Sequence, residues 1–163
     1  MKLALGTVQF GLNYGITNNL GQVQKKDVAD ILEYASIADI HLLDTAASYG
    51  NCESILGEQS IEKFDVVSKI PTVNTLNIPI LQCITESLKK LRRSSLYGLM
   101  FHNEGDLASC ATSFNDLQTA KRNGLVHKIG CSFYSVEALK RSLDLNYGID
   151  LIQIPANVLD QRF

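Results

Sequence analysis

Along the chain, short apolar runs alternate with longer segments whose apolar positions recur at helical spacing. The first run, Leu3-Ala4-Leu5-Gly6-Thr7-Val8, leads into a glycine- and asparagine-rich loop from Gly11 to Gly21. Beyond it, Val28, Ile31, Leu32 and Ala35 fall three and four residues apart and predict one buried helix face. A second run, Ile40 to Asp44, precedes a short helix from Asn51 to Glu58 that ends near Gly57. The third run spans Phe64 to Ile70, and Pro79 suits the first turn of the next helix, whose stripe is Ile80, Ile84, Leu88 and Leu91. The fourth, Leu96 to Phe101, ends at His102. Asp106 is then the predicted cap of a helix carrying Leu107, Ala111, Phe114 and Leu117, stopped by Asn123-Gly124. The fifth run is His127 to Ser132; Ser135 caps a helix with Val136, Leu139 and Leu143, and the sixth run is Asp150 to Ile154.

Six strands and five helices in strict alternation predict an α/β protein with a parallel sheet. No GxGxxG or P-loop sequence follows the first strand, so the usual dinucleotide or phosphate loop is missing there. In barrels, functional side chains come from the C-terminal ends of several strands. Here Asp44, Lys69 and His102 sit at the ends of the second, third and fourth runs, and Ser132 and Gln153 mark the fifth and sixth. A (β/α)8 barrel of the TIM type is therefore expected over a doubly wound sheet. A complete barrel takes about 250 residues. With 163 residues and about six βα units, the expectation is an incomplete barrel, one domain over 1–163, truncated at its C-terminus.

Composition removes several function classes. Hydrophobic residues make up 45% and charged residues 20%, an ordinary globular balance. Fifteen basic and 17 acidic side chains leave a formal charge of -2, so the basic field that nucleic acid or an anionic membrane would need is lacking. No apolar run approaches the roughly 18 residues of a membrane span, and MKLALGTVQFG is too short in its apolar part for a signal peptide. Cys52, Cys83, Cys110 and Cys131 form no CxxC pair, which reads as reduced thiols in a cytoplasmic protein. Cys131 reads as a small buried apolar residue, and the Lys89-Lys90-Arg92-Arg93 run as a solvated helix end suited to the helix dipole. The chain has no HxH pair or compact ligand set, so no metal is expected.

The strand ends carry the chemistry. His41 and His127 begin their strands and belong to the opposite, stability-related face, whereas His102 sits at the mouth. Taken singly, each candidate has an ordinary structural role. Asp44 could cap the turn at Thr45-Ala46, Lys69 could be solvated, Tyr49 could pack over the rim, and His102 could be a hydrogen-bonded residue leading into a helix. Together they bring four ionisable groups to one cleft. A tyrosine with a reference pKa of about 10 is a poor proton donor at neutral pH, and a nearby ammonium favours its phenolate. An aspartate would hold that ammonium charged, and a neutral histidine can donate to a carbonyl oxygen. The set suits protonation of a carbonyl oxygen while hydride reaches the carbon; no side chain supplies hydride, so a nicotinamide cofactor is required.

At these residues the chain resembles a known family. LGTVQFGLNYG (5–15), LLDTAASYG (42–50), FDVVSKI (64–70), LYGLMFHN (96–103), KIGCSFYS (128–135) and LIQIPAN (151–157) are similar in order and spacing to the aldo-keto reductases. The resemblance implies a (β/α)8 barrel that binds NADP(H) without a Rossmann fold and reduces an aldehyde or ketone to an alcohol. It places Asp44, Tyr49, Lys69 and His102 on the family's catalytic positions, with Tyr49 as general acid. Gly6, Thr7 and Val8 match the strand end that approaches the cofactor, with Asp44 beside it, and Ser132 and Gln153 match positions that hold the nicotinamide carboxamide. Many members carry Ser-Asn at the fifth strand, whereas Phe133 follows Ser132 here. The family grips the adenosine end of the cofactor with its last two units, so the 163-residue chain alone is expected to turn over weakly or not at all. Strands one and six would be unpaired edges open to self-association. Two other readings stand beside this one: a non-catalytic binding or regulatory protein on the same scaffold, and a metal-dependent barrel hydrolase using Asp44 and His102.

Overall fold

The computed structural model of the chain describes residues 3–109 and 111–163. Its elements run β1 (Leu5–Gly6), α1 (Val8–Gly11), α2 (Lys25–Ile37), β2 (Leu42–Asp44), α3 (Cys52–Gly57), β3 (Asp65–Ile70), α4 (Ile80–Leu91), β4 (Leu96–Phe101), α5 (Glu104–Ser109), α6 (Ala111–Arg122), β5 (Val126–Ser132), α7 (Val136–Asp144) and β6 (Leu151–Gln153). A 3-10 turn at Val73–Thr75 lies in the connection after β3. All strand pairs are parallel, and the strands lie side by side in sequence order from β1 to β6.

That order decides the architecture. A doubly wound sheet reverses direction at a switch point. Here the order never reverses, so successive right-handed crossovers lay their helices on one face and the sheet curls about the other. The result is a curled part of a (β/α)8 barrel, as the strand ends predicted.

Alternation along β3 separates the two faces. Ser68 Oγ donates to Glu53 Oε1 of α3 at 2.8 Å, on the helix side, while its neighbour Lys69 faces Asp44 at the barrel mouth. Val28 and Leu32 of α2, Leu56 of α3, Ile84 and Leu91 of α4 and Leu117 of α6 are buried with Leu43, Leu99, Phe101 and Ile129 of the strands. Truncating one such leucine to alanine costs about 2–5 kcal/mol, so this layer fixes where the strand ends stand.

Several local expectations are corrected. Thr7 and Val8 lie outside β1: Thr7 donates through both its N–H (3.0 Å) and its hydroxyl (2.9 Å) to the Asp44 carbonyl, and Val8 opens a one-turn helix. Pro79 precedes α4 rather than lying in its first turn. Asp106 does not cap the helix after β4; it lies within α5 and accepts the Val73 N–H at 3.0 Å. Asn103 takes the cap position instead, its Oδ1 accepting the Gly105 N–H at 2.7 Å. Ser135 caps α7 as predicted, its Oγ accepting the Ala138 N–H at 3.3 Å, but Leu143 on that helix is exposed. Cys52, Cys83 and Cys131 are free and buried; Cys110 lies outside the described residues. Among the described residues no helix is long and apolar enough to cross a membrane.

Candidate active site

The segment after β2 is held by its neighbour before any side chain acts. Thr45 N–H donates to Val67 O (2.9 Å) and Ala47 N–H to Lys69 O (3.0 Å), which carries the ladder past the strand. Tyr49 N–H then donates back to Ala46 O at 3.0 Å, closing a turn. Gly50 sits at φ +57°, where a glycine is unstrained. The end of α1 presses on this turn so closely that a Cβ on Gly11 would strike the Tyr49 carbonyl. Backbone contacts thus hold Tyr49 in place.

Lys69 organises the side chains. It is 2% exposed, and its ammonium donates to Asp44 Oδ1 at 2.6 Å, to Thr45 O at 3.1 Å and to Tyr49 Oη at 3.5 Å. Three acceptors thus meet three N–H groups, the condition for keeping a buried ammonium charged. The same nitrogen lies 5.3 Å from the Tyr49 ring centroid.

Tyr49 departs from the expected electrostatics. Burial pushes its pKa up to about 12, and the Asp44 carboxylate acts in the same direction. Asp44 neutralises the lysine at 2.6 Å, so desolvation outweighs the ammonium. Tyr49 is therefore a protonated phenol at neutral pH rather than a partial phenolate.

His102 follows the last residue of β4 and meets the Tyr49 ring edge-on, centroids 5.8 Å apart and planes at 78°. Its Nδ1 lies 3.1 Å from Ser48 Oγ. Burial first, then the Lys69 ammonium, lowers its pKa, against the opposing pull of Asp44 and Asp106, so the ring is neutral at pH 7.

The remaining predicted residues divide into two groups. Gly6 ends β1 in the open: a Cβ there would meet nothing within 4 Å. Ser132, nearly fully buried, pairs with Gln153 across β5 and β6. Phe133 donates its N–H to Gln153 O at 2.8 Å and buries its ring completely, so its side chain belongs to the core. Thr7 is fully buried and both its donors are committed to Asp44, which makes it a support of that residue; Val8 is half-buried at the start of α1.

Sequence reasoning missed three supporting residues. Ser48 touches His102. Asp106 anchors the 3-10 turn, with its Oδ2 buried and unpartnered, and burial pushes its carboxyl up. Glu104 Oε2 accepts the N–H groups of Tyr134 (2.5 Å) and Ser135 (3.2 Å), tying the β4 end to the β5 end. Two acids in the first turn after His102 were a visible signal; Ser48 had none. Among the described residues no three His, Cys, Asp or Glu side chains cluster as a metal site.

Comparison with known proteins places the chain. The profile of the aldo/keto reductase family matches residues 2–163. PA4992, an assigned aldo-keto reductase from Pseudomonas aeruginosa, superposes with a TM-score of 0.80 at 27% identity, over 96% of this chain and 64% of its own. The aldo-keto reductase AKR11C1 from Bacillus halodurans gives 0.79 at 17% identity, over 99% of this chain and 55% of its own. The Bombyx mori aldo-keto reductase AKR2E4, solved with NADP, gives 0.72 at 22%, over 95% and 54%. At these lower identities the likeness speaks for the fold alone. The chain spans less than two thirds of each of these structures. A search of curated proteins finds no match. A profile match over nearly the whole length, on a curled parallel barrel, means that the chain belongs to the aldo/keto reductase family.

Proposed function

We propose that this chain carries the proton-delivery machinery of an NADP(H)-dependent oxidoreductase that reduces a small aldehyde or ketone to an alcohol. The supporting observation is one buried ammonium, Lys69, held at 2.6 Å by Asp44 and at 3.5 Å from Tyr49 Oη, with His102 against the same ring. In this reading Tyr49 is the general acid. A carbonyl oxygen beside Tyr49 Oη gains negative charge as its carbon is reduced, and the phenol proton moves to it. Lys69 stabilises the phenolate left behind, Asp44 keeps Lys69 charged and placed, and His102 orients the carbonyl by donating a hydrogen bond. A nicotinamide, when bound, supplies the hydride.

The strand ends fit the nicotinamide end of such a cofactor. Gly6 leaves open space beside Asp44, and Ser132 and Gln153 offer a hydroxyl and an amide on adjacent strands. A neighbour solved with NADP lends support. In the aldo-keto reductases the adenosine end is gripped by later units, so we propose that 1–163 acts as a single domain within a longer barrel, in the cytoplasm, and that it is weakly active or inactive alone. NADPH consumption with an aldehyde and a ketone tests the reading. A version extended to eight βα units is expected to reduce at least one, and the 163-residue chain to do so far more slowly. No reduction by the extended version, or equal rates for the two, would overturn it.

A further inference from the structure

We infer that Ser48 is a positioning residue whose hydroxyl donates to His102 Nδ1 and so holds the ring as the Nε2–H tautomer. The assignment stands on its own geometry; its catalytic consequence rests on the reductase reading above.

The geometry is specific. Ser48 Oγ lies 3.1 Å from Nδ1, across 54 residues of sequence, and it immediately precedes Tyr49, whose ring meets His102 edge-on. Ser48 cannot drift relative to that ring, because Ala47 N–H is bonded to Lys69 O and Tyr49 N–H to Ala46 O on either side of it. A neutral imidazole carries one N–H, and the partner of one nitrogen decides which. Two pairings fit the distance: hydroxyl to Nδ1, or Nδ1–H to the hydroxyl oxygen. The first is favoured because an imidazole nitrogen lone pair is a far stronger base than a hydroxyl oxygen. The charged and titratable groups around the ring, namely Lys69, Asp44, Asp106 and the Tyr49 phenol, leave it neutral, so the choice of tautomer matters at pH 7. With the proton on Nε2, His102 can donate to a carbonyl oxygen; with it on Nδ1, Nε2 can only accept.

Long-range proton–nitrogen correlation of 15N-labelled chain reads the tautomer without substrate or cofactor. His102 Nδ1 is expected to be unprotonated in the wild type. Ser48→Ala should change the tautomer ratio about five- to tenfold, the weight of one hydrogen bond, and Ser48→Thr should restore it. A protonated Nδ1 in the wild type, or a ratio unmoved by Ser48→Ala in a folded chain, would overturn the assignment. In an active extended version, Ser48→Ala should lower kcat several-fold with an unchanged KM for NADPH, and Ser48→Thr should recover it. An Nε2–H ring in a protein whose carbonyl reduction ignores Tyr49→Phe would refute the reductase reading and leave the tautomer assignment standing.

Discussion

Replacing Asp44 by asparagine removes one charge while keeping the shape of the site. Two unit charges 2.6 Å apart, at an effective dielectric constant of about 20, attract by about 6 kcal/mol. Asparagine keeps an oxygen for the Lys69 hydrogen bond, Thr45 O and Tyr49 Oη remain, and Asp44 is 22% exposed to water, which screens part of the field. These offsets bring the expected loss of stability at pH 7 to about 2–4 kcal/mol, somewhat below the roughly 3–5 kcal/mol for a fully buried charge stripped of its partner. Urea unfolding followed by circular dichroism at pH 7 measures the loss. A second reading is independent of stability. Asp44 helps to raise the Tyr49 pKa to about 12, so Asp44→Asn should lower it, seen as an earlier tyrosinate absorbance step that Tyr49→Phe abolishes. A variant within 0.5 kcal/mol of wild type at pH 7, or a tyrosinate step at unchanged pH, would refute the view that this pair sets the charge balance of the site.

Other expectations follow from the same geometry. Gly6→Ala has free space for its methyl, so unfolding should be unchanged while NADPH affinity in an extended version falls about tenfold; equal affinity would remove Gly6 from the cofactor site. Glu53 is 3% exposed, with Oε2 unpartnered and its carboxyl pushed up by burial, so the stability it contributes is present below the ordinary carboxylate range and lost as pH rises through its raised value. Glu53→Gln should therefore match wild type near pH 4 and exceed it by about 1–3 kcal/mol at pH 8; a difference flat with pH would contradict this. The outer edges of β1 and β6 carry no strand partner among the described residues, so the 163-residue chain should associate with rising concentration in light scattering, and a monomer throughout would count against that.

Much of this was legible in the sequence because strand ends have a fixed meaning in a parallel barrel. Asp44, Lys69 and His102 each stand at the end of an apolar run, and the parallel register brings those ends to one mouth. What escaped depended on partners distant in sequence. Asp106 reads as a helix cap because aspartate favours that place, but the Val73 N–H from the preceding connection claims it, and only the fold brings them together. Thr7 extends an apolar run and looks like strand, yet its two donors converge on the Asp44 carbonyl and end β1 early. The Tyr49 shift was expected downward from its neighbour's charge. Its sign follows from burial and from the carboxylate that already occupies the lysine, and neither is visible in spacing.

The central claim is that Tyr49, supported by Lys69, Asp44 and His102, delivers a proton to a carbonyl oxygen. Its most direct test is kcat for NADPH-driven aldehyde reduction by an eight-unit version carrying Tyr49→Phe, with NADPH affinity and unfolding measured alongside. Loss of the general acid should lower kcat by about 100- to 10,000-fold while both controls stay unchanged. A Tyr49→Phe protein that reduces aldehyde at the wild-type rate would contradict the account.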